Sequence, residues 1–63
     1  MLNVHNSLPR VSILFYLTND KKKYVQSVHT NRLKAEEELK RLNATLPVFN
    51  VMYYYMSDFT VWE

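Results

Sequence analysis

The sequence predicts a small α+β fold, a three-stranded sheet in the order 2-1-3 with one helix on one of its faces. Three observations carry this prediction. "RVSILFYLT", residues 10–18, is dense in β-branched and aromatic residues, and the polar "NDKK" separates it from a second, more polar strand. "NRLKAEEELKRLNATL", residues 31–46, then places its leucines at helical spacing. Pro47 ends that helix and releases an apolar run, "VFNVMYYYM". The order is therefore strand, strand, helix, strand, ββαβ.

At 63 residues the chain is one domain. Residues 1–9 read as an amino-terminal arm, with Pro9 at the start of a strand, where its missing N–H costs least. The first strand is apolar on both faces, which suits a central position. Residues 19–22 form a turn without glycine, and Asn19 and Asp20 are the residue types that best tolerate turn geometry in its place. "KYVQSVHT" is polar enough for an edge strand.

Thr30 or Asn31 caps the helix. Its buried stripe is Ala35, Leu39, Leu42 and Leu46, with Leu33 and Ala44 off it. Arg32 with Glu36, Lys34 with Glu38, Glu36 with Lys40 and Glu37 with Arg41 are spaced as i,i+4 ion pairs on the opposite side. A helix of about 16 residues is about 24 Å long, so it returns the chain to the start of the second strand. The third strand, residues 48–56, then lies parallel to the second and antiparallel to the first, giving the 2-1-3 order and a core over residues 10–56. Residues 57–63, "SDFTVWE", turn at Ser57 and Asp58 and finish as a short fourth strand or a tail.

Strand side chains alternate between faces, so the three consecutive tyrosines cannot share one environment. Asn50 is the only clearly polar residue of the third strand, which assigns Val48, Asn50, Met52, Tyr54 and Met56 to the face away from the helix. In the first strand Val11, Ile13, Phe15 and Leu17 are the more uniformly apolar set and are assigned to the helix side. A hairpin closing on Asp20 and Lys21 sets Tyr16 opposite Val25 and Leu14 opposite Ser27. The expected open face carries Leu14, Tyr16, Val25, Met52, Tyr54 and Met56, with His29 at its edge. Phe59, Val61 and Trp62, a second copy, or a different protein are the candidates to cover it.

No motif points to catalysis, a metal or a cofactor. There is no cysteine, and His5 and His29 have no ligand-spaced companions. Ser27, His29 and Asp58 spell a triad, but the chain has no glycine for a nucleophile elbow or an oxyanion loop. Glu36, Glu37 and Glu38 point about 100° apart around the helix and read as a charged face. "DKKKY" sets three lysines beside an aromatic at the hairpin tip, a loose likeness to single-strand binders that stack bases on a sheet. A net charge of only +2 weighs against nucleic acid. No apolar run reaches the roughly 20 residues of a membrane span, and "MLNVHNSLPR" lacks the pattern of a signal peptide, which places the chain in the cytoplasm of its host cell. Asn43-Ala44-Thr45 spells a glycosylation acceptor that is accidental in that compartment.

A hairpin, one helix and a closing strand over residues 10–56, in a short chain rich in Asn, Lys and Tyr, resemble the small host-takeover proteins of bacteriophages. In organisation the chain is similar to the transcription inhibitors of some short-tailed phages, which bind host RNA polymerase. The open face and the exposed edge of the third strand read as the contact surface of a non-enzymatic protein-binding module, and the resemblance implies an inhibitor of a host protein; no family motif is matched, so no functional residue is carried over. On this reading Tyr16, Met52, Tyr54 and Met56 are the apolar anchors, and Lys21, Lys22 and Lys23 steer an acidic partner. A structural homodimer through the open face is the alternative, and a weak single-stranded nucleic-acid binder the second.

Overall fold

The computed structural model describes residues 10–61. It contains β1 (Arg10–Thr18), β2 (Lys23–His29), α1 (Arg32–Ala44) and β3 (Val51–Thr60). The sheet order is β2-β1-β3, and β1 is antiparallel to both neighbours. The arm over residues 1–9, with His5, and Trp62 at the other end lie outside the described residues.

The hairpin turns through three residues, not two. Lys21 N donates to Thr18 O at 3.0 Å and Thr18 N to Lys22 O at 2.8 Å, with Lys21 at φ 71°. A turn closed by one left-handed residue matches the twist of the strands. Lys22 N also donates to Thr18 Oγ1 at 3.0 Å, and the hydroxyl reaches the Asp20 carboxylate. An irregularity between Leu14 and Phe15 leaves Leu14 opposite Ser27, as expected, but sets Phe15 opposite Val25 and Tyr16 opposite Tyr24.

Asn31 is the N-cap of α1, its Oδ1 accepting from Lys34 N at 3.2 Å. Ala35 and Leu42 are buried and Leu39 and Leu46 partly so, while Leu33 is 70% exposed, as the stripe predicts. Of the four expected i,i+4 pairs Arg32–Glu36 forms, at 2.9 Å; Glu38 pairs instead with Arg41. At the carboxy-terminal end the Thr45 hydroxyl donates to Leu42 O at 2.6 Å.

The chain then passes the cis Leu46–Pro47 bond and a turn closed by Val51 N donating to Val48 O at 3.0 Å, with Asn50 at φ 61°. Strand pairing begins at Val51 and continues through Ser57 and Asp58 to Thr60, so the turn expected there is strand and the paired core extends past residue 56.

The faces are inverted relative to the sequence expectation. Leu14 (0% exposed) and Tyr54 (9%) form one buried cluster with Ala35 and Leu42, and Tyr16, Val51 and Met56 pack against it. The helix therefore covers the face predicted to be open. Two physical facts cause the inversion. Asn50 belongs to the turn, and an extra residue, Met52, interrupts the pairing between Thr18–Val51 and Leu17–Tyr53, so a polarity phase counted from Asn50 starts outside the strand. Ser12 and Thr18, polar members of the less apolar set of β1, are buried with their hydroxyls satisfied, Ser12 by Asp58 at 2.7 Å and Thr18 within the hairpin.

Candidate functional site

The pairing register builds the face opposite the helix rung by rung, a face that no other element covers among the described residues. Directly opposed residues of an antiparallel pair share a face. Val25, Phe15 and Tyr55 form one rung; Val28, Ile13 and Ser57 the next; Lys23, Leu17 and Tyr53 the rung at the hairpin end; Val11 and Phe59 the rung at the other end. Val25, Val28, Tyr53 and Phe59 are exposed, and the β1 residues between them half-buried. The rings form a continuous band: Phe15 stacks on Tyr55 with centroids 5.2 Å apart, meets Phe59 edge-on at 6.4 Å, and Tyr53 meets Tyr55 at 5.9 Å.

Lys23 is the one charged residue in these rungs, and Ser57 the one uncharged polar side chain besides the tyrosine hydroxyls. Three strands about 4.8 Å apart and about 30 Å long present on the order of 400 Å² in plan. That is the size of the largest apolar patch on a typical monomer, and such patches are often functional.

Beside this face runs the outer edge of β3. Asn43 closes it at one point, its Nδ2 donating to Tyr54 O at 3.2 Å and its Oδ1 accepting from Tyr54 N at 3.0 Å. The carboxamide thus stands in for a neighbouring strand. By the alternation of antiparallel pairing, the N–H and C=O of Met56 and Asp58 point the same way, and among the described residues no other backbone group reaches them.

The residues expected as anchors are dispersed by the inversion. Tyr54 and Met56 lie under the helix, and Tyr16 with Tyr24 and Tyr54 walls a recess of about 410 Å³ at the hairpin end of the covered face. Tyr16 stacks on Tyr24 at 5.4 Å. Met52 is exposed as the extra residue of β3. Lys21, Lys22 and Lys23 are all exposed at the hairpin, Lys22 within 3.9 Å of Asp20.

Missed by the sequence reading were Phe15, Tyr53, Tyr55 and Phe59. The signal for Phe15 lies in the uniform apolarity of the odd-numbered β1 residues, and the β3 residues follow from their pairing with that set.

The triad spelling does not assemble. Ser27 Oγ lies 2.8 Å from His29 Nε2, but Asp58 is held by Ser12 and Arg32. Arg32, between Glu36 and Asp58, has its pKa raised, first by its bond to Glu36; Glu38 is lowered by its bond to Arg41. These pairs tie the helix to itself and to β3. Among the described residues no group of three or more His, Asp or Glu side chains is placed to hold a metal, and no helix is long and apolar enough to cross a membrane.

Comparisons with protein-family models, with curated proteins and with solved structures gave no significant match.

Proposed function

We propose that this chain is a non-enzymatic protein-binding module whose contact surface is the open face of the sheet, with the free edge of β3 beside it. The observation that carries the reading is the apolar, aromatic-rich set of rungs with a single charged residue. Rings held rigid in a sheet lose little entropy on contact, which makes Phe15, Tyr55, Phe59 and Tyr53 the anchors. Lys21 and Lys22 at the hairpin tip act on encounter rate, and the edge at Met56 and Asp58 offers main-chain pairing to an added strand. In the setting the phage resemblance implies, the module works in the cytoplasm of a host cell, and that edge engages the host protein it inhibits.

A photo-crosslinking residue separates the faces. Benzoylphenylalanine in place of Val28, on the open face, should yield protein crosslinks, and in place of Leu33, exposed on the helix, few. Equal yields from both positions, or none from Val28, would refute the assignment.

A further inference from the structure

We infer that the occupant of the open face is a second copy of this chain, two sheets packing face to face into a four-layer dimer with the helices outside. This rests on the open face being the contact surface and names what covers it. The first argument is chemical. The rungs hold no carboxylate and one lysine, so they offer a foreign surface almost no polar feature to recognise. Interfaces that form and dissociate between different proteins carry a polar rim and about as much polar area as the rest of the surface, whereas permanent homodimer interfaces resemble a domain core cut in half.

The second argument is size. Two copies of a face of on the order of 400 Å² in plan, with side chains standing up from it, bury on the order of 1000 Å² in total, the lower bound for a biological interface and the size of a concentration-dependent dimer. The third is the thinness of the covered core, whose buried cluster among the described residues is Leu14, Ala35, Leu42 and Tyr54. A small domain without cysteines adds burial in few ways, oligomerisation among them, and the copy is the one partner present wherever the chain is made.

Symmetry is compatible with the charge. A twofold axis along the strands sets Lys23 of one copy over the Tyr53 side of the other, and one across the strands sets it over the far end of β2; neither opposes Lys23 to Lys23. The β3 edge stays outside the interface in both.

The test is sedimentation velocity of the full chain from about 1 to 100 µM, with crosslink mapping of purified protein carrying benzoylphenylalanine at position 28. A dimer is expected, its crosslinks joining residue 28 to β1, β2 or β3 peptides of a second copy. Phe59→Lys should weaken it at least tenfold with the far-ultraviolet circular dichroism retained, and the mapping needs no disruptive variant if Phe59→Lys fails to fold. A dimer whose crosslinks map to the helix overturns the inference, as does a monomer up to 100 µM. Such a monomer that binds an apolar dye, and crosslinks to other proteins from position 28, overturns the second copy and leaves the face intact. One that does neither overturns both.

Discussion

Neighbouring β1 and β2 positions should respond unequally to truncation if the helix covers the even-numbered face of β1. Leu14 is fully buried against Ala35, Leu42 and Tyr54, whereas Val28 is 58% exposed on the open face. Leu14→Ala removes three buried carbons, about 2.4 kcal/mol of transfer free energy at about 0.8 per methylene, and leaves a cavity that raises the cost to about 3 kcal/mol. Val28→Ala removes two carbons that remain half in water, about 0.7 kcal/mol. Lower strand propensity adds up to about 1 kcal/mol, more for valine than for leucine, so it narrows the difference without removing it. The variants should differ by about 2 kcal/mol in dilute solution, read by urea denaturation under circular dichroism, or by roughly 8–16 °C in Tm for a domain of this size. Raising the protein concentration should enlarge the Val28 cost and leave the Leu14 cost unchanged, because only the open face associates. A Val28→Ala variant that loses as much as Leu14→Ala at the lowest concentration would return the helix to the other face and remove the basis of the proposed contact surface.

Two further substitutions test local devices. Asn43→Ala deletes both hydrogen bonds to the Tyr54 backbone and should cost about 1–3 kcal/mol. Asn43→Asp keeps the acceptor but sets a carboxylate against the Tyr54 carbonyl, so it should cost more than alanine at pH 7 and less than alanine below about pH 4, where the protonated carboxyl both donates to and accepts from Tyr54; equal stability of the two variants at both pH values would mean that the clamp is not formed. At the hairpin, Lys21→Gly relieves a left-handed residue with a side chain and should raise stability by about 0.5–1 kcal/mol, whereas a loss would place Lys21 in another conformation.

Much of the site was legible in the wrong phase. The odd-numbered β1 residues, Val11, Ile13, Phe15 and Leu17, are recognisable as one apolar set from alternation alone, and they do form one face. Which layer covers that face is not encoded by alternation when both sides of a strand are apolar. Polarity was a poor guide because Ser12 and Thr18 are small hydroxyls whose partners, Asp58 and the hairpin backbone, lie nearby in the fold and so are buried at little cost. The count through "VFNVMYYYM" failed at Met52, where one unpaired residue shifts every assignment on one side of it.

The sequence by itself determined the elements, their order and the 2-1-3 sheet. These follow from local chemistry: β-branched and aromatic density, an Asn cap, a leucine stripe at helical period, a proline stop and a crossover of the right length. Tertiary structure decided which face the helix takes, where β3 begins and ends, and how its edge is closed. Those outcomes depend on contacts between residues far apart in the chain, Leu14 with Leu42, Ser12 with Asp58 and Asn43 with Tyr54, whose free energy no window of neighbouring residues contains.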